Sequence, residues 1–193
     1  MSGATPPASD VQLLSASAAG DHDAFAALVA RHQASAFRFA LTLTATRELA
    51  EDVLQQAMLA AWRAAATFRG DASVRSWILT IVRNTAYHDR LRRHREPLDE
   101  RSLDDLGLEA GWGVPTQERA LIEREQREAL ARALARLPDE ERAVIVLRDF
   151  EGLAGDDAAS VLHLSLPALK SRLHRARLRL AAEVRREMTH VAR

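Results

Sequence analysis

The stretch 137–180, LPDEERAVIVLRDFEGLAGDDAASVLHLSLPALKSRLHRARLRL, reads as three helices in succession. Pro138 with Asp139 opens the first, and Phe150-Glu151-Gly152 closes it, with Ala143, Val144, Leu147 and Phe150 expected to face inward. A short second helix covers about 156–162, where Asp156 and Asp157 suit a helix N-terminus. A tight turn at His163-Leu164 leads to Ser165, which can cap the third helix. There Leu166, Leu169, Leu173, Ala176 and Leu180 recur at helical spacing, while Lys170, Ser171, Arg172, His174, Arg175, Arg177 and Arg179 make up the rest of the surface. A short helix, a tight turn and a longer helix with a basic outer face form the pattern of a DNA-binding helix-turn-helix.

The formal net charge of the 193-residue chain is zero, which at first opposes that reading. The distribution removes the objection. Residues 1–95 carry 11 Arg against 8 acids, 96–118 one Arg against 7 acids, and 119–193 15 Lys/Arg against 12 acids. Within the outer parts, 75–95 reaches +5 and 170–193 reaches +6. Two basic patches flank an acidic connector, and an anionic partner responds to patches. A charged content of 28% with 47% hydrophobic residues is a globular composition, and no apolar run approaches the ~20 residues of a membrane span. There is no Cys for a disulfide, thiolate metal site or nucleophile, and the seven His are scattered without metal-ligand spacing. Glycine-rich phosphate loops, G-x-S-x-G and H-E-x-x-H are absent, so no residue is assigned to catalysis, and no metal or cofactor is expected.

Working toward the N-terminus, 117–137 is helical, with Leu121, Ile122, Ala129, Leu130, Ala133, Leu134 and Leu137 inward. The segment 96–118 holds Pro97, Pro115, three Gly and seven acids and reads as a linker; Trp112 within it either docks on a neighbour or stays exposed. The helix before it, about 74–95, is expected to bury Trp77, Ile78, Ile81 and Val82 and to expose Arg75, Arg83, Asn84, Tyr87, His88 and a run of Arg. Cations, an amide and aromatic rings on one helix suit phosphates and unstacked bases. Gly70 in the preceding Phe68–Ser73 break permits a turn, and Asp71 or Ser73 can cap the 74–95 helix. In the helix at about 47–67, Ala50, Val53, Leu54, Ala57, Met58, Ala61 and Trp62 form an apolar stripe. Its other face, Glu51, Asp52, Gln55, Gln56, Leu59 and Arg63, is either solvated surface or a docking face for a protein. A first helix spans about 23–43, with His32 on its apolar side, and the small, polar, Pro-containing start of the chain reads as a disordered tail.

Several strings occur together and in order: AEDVLQQAMLAAW (50–62), FRGDASVRSW (68–77), RNTA (83–86), LPDEERAVIVLRDFEGL (137–153) and LKSRLHRAR (169–177). The set resembles the extracytoplasmic-function (ECF) sigma factors, two-domain bacterial transcription initiation factors, over about 21–180. The resemblance implies an all-α fold of two small helical domains joined by an acidic flexible linker. It places a disordered tail at 1–20, sigma region 2 at 21–95, the linker at 96–118, the region 4 helix-turn-helix domain at 119–186 and a C-terminal tail at 187–193. It implies a cytoplasmic, non-enzymatic protein that brings core RNA polymerase to promoters, touching the clamp helices of the largest subunit and the flap of the second-largest, under an anti-sigma factor.

Carried over by position, the polymerase contacts would be Asp52, Gln55, Gln56 and Leu59. The melted minus-ten strand would meet Arg69, Asp71, Ser73, Trp77, Arg83, Asn84 and His88, with a flipped base held by the 69–73 loop. The minus-thirty-five duplex would meet Ser165, Lys170, Ser171, Arg172, His174, Arg175 and Arg177, of which Arg172 and Arg177 would sit on phosphates. The chain departs from the family pattern at His163 (usually Gly in the turn), at Pro167-Ala168 (often Gly-Thr) and at Gly155 (commonly aromatic). Read from the residues alone, a helix-turn-helix regulator with an N-terminal effector or dimerisation domain stays open; the second basic helix with Trp77, Asn84 and Tyr87 argues for the sigma factor.

Overall fold

Ser9 and Gln12 close a reciprocal cap at the first turn of α1 (Asp10–Ala18): Gln12 N donates to Ser9 Oγ at 3.3 Å and Ser9 N donates to Gln12 Oε1 at 2.8 Å. The computed structural model describes residues 8–93 and 117–191, with side chains over 8–91 and 125–188. Within them α1 corrects the expectation of a disordered tail over 1–20. The cap nucleates the helix, Leu14 is buried, and Asp10 Oδ1 accepts from Arg31 at 2.8 Å while Asp10 Oδ2 stands 2.8 Å from His32 Nε2.

Asp21 caps α2 (His22–Leu43) by accepting from Ala24 N at 2.9 Å, and Thr46 caps α3 (Arg47–Ala64) by accepting from Leu49 N at 3.3 Å. A 3-10 turn, Ala65–Thr67, ends α3. Ser73 then accepts from Ser76 N at 3.1 Å at the head of α4 (Val74–Arg93). These helices pack on one another through Leu28, Phe39, Val53, Ala57, Ile78, Leu79 and Val82. Trp77 and Ile81, expected inside, are only half-buried, and Leu79 takes the inner position instead.

The C-terminal set comprises α5 (Gln117–Ala135), α6 (Asp139–Ile145), α7 (Gly155–Leu162) and α8 (Leu166–Val191). The first helix of the 137–180 stretch does not run regularly to Phe150: Val146–Phe150 is a π turn in which Glu151 N bonds Val146 O at 2.8 Å. The wider turn advances each residue less around the axis, so Phe150, expected inside, is 37% exposed. His163 takes the left-handed conformation, φ 54° and ψ 44°, and closes α7: His163 N reaches Ser160 O at 3.1 Å and Leu164 N reaches Ala159 O at 2.9 Å. Histidine thus supplies the left-handed residue that the turn requires. At Gly155 an added Cβ would lie 3.1 Å from Leu166 Cδ1, so the Leu166 side chain would have to give by a few tenths of an ångström to admit a larger residue there. The supposed tail at 187–193 is helical as far as Val191, because Glu187 is buried and accepts from Arg132 Nε at 2.9 Å and from Arg136.

The two sets touch: α2 packs on α6, and α4 on α7. Arg142, fully buried, donates from α6 to Thr42 O at 3.1 Å, to Leu137 O at 3.1 Å and Ala135 O at 3.2 Å, and to Asp139 Oδ1 at 2.7 Å. Burial pulls its pKa below the usual guanidinium value, and Asp139 opposes that pull. Among the described residues there is no strand, and no helix is long and apolar enough to cross a membrane. Most of the 96–118 segment, Trp112 included, lies outside the described residues, as do tail residues 1–7.

Candidate nucleic-acid and polymerase interfaces

On α3 the apolar stripe is buried through Ala50, Val53, Ala57 and Ala61, which turns the opposite side outward. Asp52, Gln55, Gln56 and Leu59 are all exposed there, at spacings of three and four residues that make one strip. Leu59, 48% exposed, gives the strip an apolar end. Trp62 closes one end of the bundle, stacked on His22 at 4.7 Å and edge-on to Phe25 at 5.1 Å.

Arg69, Asp71 and Ser73 are exposed on the loop before α4, where Gly70 has a φ of 80°. At this angle a Cβ would be strained even though the space around it is open. Trp77 packs edge-on against Phe68 at 5.6 Å and keeps part of its ring outward. Helical period places Trp77, Asn84 and His88 in one stripe of α4 and Arg83 with Tyr87 in the neighbouring stripe. Asn84 and His88 are exposed, and Tyr87 is 58% exposed. The second stripe borders a cleft of about 190 Å³, in which Arg83, Tyr87 and Arg90 face Asp139, Glu140 and Arg172 of the C-terminal set. Arg90 pairs with Asp139 at 2.6 Å, and His163 Nε2 stands 3.4 Å from Asn84 Oδ1. The candidate strand-contacting residues therefore do not form an open arm: part of their helix lies against the helix-turn-helix.

Ser165 begins α8, its hydroxyl accepting from Ala168 N at 3.3 Å. Pro167 comes next but one, within the first turn, where the missing N–H leaves no bond unmade. Leu169, Leu173 and Ala176 are buried beneath, so Lys170, Ser171, His174 and Arg175 share the outward face. Arg175 donates to Ser171 Oγ at 2.9 Å. Arg172 and Arg177 lie on the two flanks of that face. Each is steadied by an acid of α6 or of the π turn that follows it: Glu140 at 2.9 Å from Arg172, and Asp149 Oδ2 at 2.9 Å from Arg177. The hydrogen bond from Arg177 to Asp149 holds its pKa above the ordinary value. A central face of mixed donors and acceptors between two flanking guanidiniums suits base edges in a groove and phosphates on its rims.

Sequence reasoning gives Glu151 no role beyond a helix end, yet its side chain is 1% exposed and bound by three residues of the other set. Ser35 Oγ donates to Glu151 Oε2 at 2.7 Å, Arg38 Nε donates to Oε1 at 2.7 Å, and Arg75 donates to Oε2. Burial raises the carboxyl's pKa, but the hydrogen bonds from Arg38 and Ser35 and the charges of Arg38 and Arg75 outweigh it, leaving Glu151 below the usual carboxylate value. Among the described residues no group of three His, Cys, Asp or Glu could hold a metal ion.

The family model for Sigma-70 region 2 matches residues 28–96, and that for Sigma-70 region 4 matches 127–180. Over 173 residues the chain is 42% identical to the ECF RNA polymerase sigma factor SigM of Mycobacterium tuberculosis H37Rv, covering 90% of this chain and 83% of that one. It is 32% identical over 173 residues to the RNA polymerase sigma-H factor of Pseudomonas aeruginosa PAO1, covering 87% and 90%. Among solved structures it is similar to CnrH in complex with the cytosolic domain of CnrY, with a TM-score of 0.64, 30% identity and coverage of 90% and 95%. It is also similar to RpoE in complex with the anti-sigma factor NepR from Bartonella quintana, with a TM-score of 0.63, 27% identity and coverage of 83% and 96%.

Proposed function

Because this chain belongs to the ECF RNA polymerase sigma factors, we propose that its surfaces divide promoter recognition among α3, α4 and α8. The protein is an alternative sigma factor: it binds core RNA polymerase and promoter DNA and directs initiation, and the polymerase supplies the chemistry. The strip Asp52, Gln55, Gln56 and Leu59 docks on the clamp helices of the largest subunit. Arg69, Asp71 and Ser73 cradle a base turned out of the minus-ten element, and Trp77, Arg83, Asn84 and His88 hold the rest of that strand. Unpairing costs a few kcal/mol per flipped base, so a step that opens easily is favoured. Lys170, Ser171, His174 and Arg175 read the minus-thirty-five major groove, while Arg172, Arg177 and the Ser165 end of α8 meet phosphates. The C-terminal set also meets the flap of the second-largest subunit. We place region 2 at 21–95, preceded by the docked α1, the acidic linker at 96–118 and region 4 at 119–186. The complex of RpoE with the anti-sigma factor NepR supports control of this chain by an anti-sigma factor, and the family supports a cytoplasmic setting.

The observation that carries the division is the outward basic face of α8, built opposite the buried Leu169, Leu173 and Ala176. Run-off transcription with core polymerase on a randomised promoter library tests it. Selected promoters should share two separated elements, and Lys170→Ala or Arg175→Ala should change only the upstream one. A change in the downstream element would contradict the division.

A further inference from the structure

None of the assigned interfaces uses α1, yet its placement bears on one of them. The loop 69–73 hangs between two roots, the 3-10 turn Ala65–Thr67 and the head of α4. Arg69, Gly70, Asp71 and Ser73 are all exposed, so the loop takes its position from those roots and not from packing of its own. The first root is weak by itself. A 3-10 turn has poorer hydrogen-bond geometry than an α-helix. This one has no side-chain cap, and the bond that closes it, Phe68 N to Ala65 O, is long at 3.4 Å. Its position is fixed by burial: Ala65 is 4% exposed.

The helix α1 packs on both roots, the 3-10 turn and α4, as well as on α2 and α3. Leu14 of α1, Ala65 of the turn and Val74 at the start of α4 belong to one buried cluster. The helix is itself seated at both ends. At its C-terminal end Gly20, with φ 97°, turns the chain directly into α2. At its N-terminal end Asp10 accepts from Arg31 at 2.8 Å and stands 2.8 Å from Nε2 of the buried His32, while Arg31 also donates to Ala8 O at 2.8 Å. The side chain of Asp10 is 33% exposed, so replacing it disturbs the seat of α1 without opening the core.

We propose that α1 is a brace for the base-holding loop: seated by Asp10 on Arg31 and His32, it buries Leu14 in the core that both roots share and so sets the geometry in which Arg69, Asp71 and Ser73 receive the flipped base. This inference rests on the assignment of the 69–73 loop to that base. A flipped base has lost its stacking, and only a pocket of fixed shape compensates for the loss. Asp10 and Leu14 touch no DNA; they are positioning residues.

The test uses holoenzyme assembled from core polymerase and the full-length wild type, Asp10→Ala, Leu14→Ala or Leu14→Met. Each binds a fluorescent single-stranded oligonucleotide carrying the minus-ten sequence selected by run-off transcription, and the same strand made abasic at one position at a time. At the position of the held base the wild type should prefer the intact strand by about tenfold, the scale of one stacked base. Asp10→Ala and Leu14→Ala should lose most of that preference, with affinity for the abasic strand and for core polymerase unchanged. Leu14→Met, close in volume, should keep it. Asp71→Ala should lower the preference too, and adding Asp10→Ala to it should lower it no further, because both act on one pocket. Loss of fold stability alone would weaken intact and abasic strands alike; that outcome, or an unchanged preference, overturns the brace. Should Leu14→Ala lose its helical circular dichroism, Asp10→Ala decides by the same criteria. If wild-type holoenzyme shows no such preference at any position, the assignment of the 69–73 loop falls instead, and the brace with it.

Discussion

The helices α4 and α8 carry the two basic faces of the molecule, yet they are held in opposite ways. The flanking cations of α8, Arg172 and Arg177, are fixed by Glu140 and Asp149 of the same set, and the face between them is open. The cations of α4 find their acids across the set boundary: Arg90 with Asp139, Arg75 with Glu151. A face steadied from within is ready for a rigid duplex. A face steadied by the other half of the molecule changes when the halves move, which suits a ligand that exists only after melting. The same ion-pair chemistry orders one face from within its own set and ties the other to the opposite set, depending on which set supplies the carboxylate.

The largest way to disturb this arrangement is to remove the residue common to both sets. Arg142→Leu would leave the buried carbonyls of Thr42 and Leu137, and the part-buried carbonyl of Ala135, without the guanidinium. At about 1–3 kcal/mol for each orphaned buried group, urea denaturation should show a loss of roughly 3 kcal/mol or more. Both sets should lose stability together; a loss confined to α5–α8 would show that the Thr42 bond does not couple them. Within α8, Arg175→Ala should cost about 1–3 kcal/mol in minus-thirty-five duplex binding and relax specificity at one position. Arg177→Ala should instead weaken all duplexes alike and lower the salt slope by about one. On α4, Tyr87→Ala should weaken single-strand binding by holoenzyme by about 1–3 kcal/mol if a base stacks there. If duplex binding by α8 fell equally, the separation of the two faces would be lost.

Much of α8 is legible in the sequence because its determinants are local. The Leu169, Leu173 and Ala176 stripe, the Ser165 cap and the His163 turn all act within a few residues, so spacing alone places them. The exposed strip of α3 is legible for the same reason. The features that escape depend on distance or on irregular geometry. Glu151 binds partners 113 and 116 residues away, Arg38 and Ser35, and no periodicity reports that. Phe150 points inward only if a regular helix is extrapolated through the residues that form a π turn. The helix α1 does have a local signal, the Ser9–Gln12 capping box, but the polar composition of the segment outweighs it.

Acid offers the gentlest way to separate the two modes, because it acts on a cross-set and a within-set carboxylate in one titration. Glu151 and Glu187 both have folded-state pKa values below the ordinary 4.5. Burial works against the shift at Glu151, where the arginines and Ser35 prevail; at Glu187 the hydrogen bond from Arg132 leads. A depressed carboxylate stabilises the folded chain fully above its unfolded value, and that contribution fades as pH falls through the folded one. No change is therefore expected near neutrality. Below about pH 4.5 the wild type should expand in scattering as Glu151 takes up a proton, and amide exchange should quicken at the Glu187 end of α8. The two readouts should part in Glu151→Gln: its dimensions should no longer respond to acid, while the α8 end still does. If scattering of that variant keeps the wild-type acid response, the carboxylate holding the sets together is not Glu151, and the contrast between α4 and α8 needs another origin.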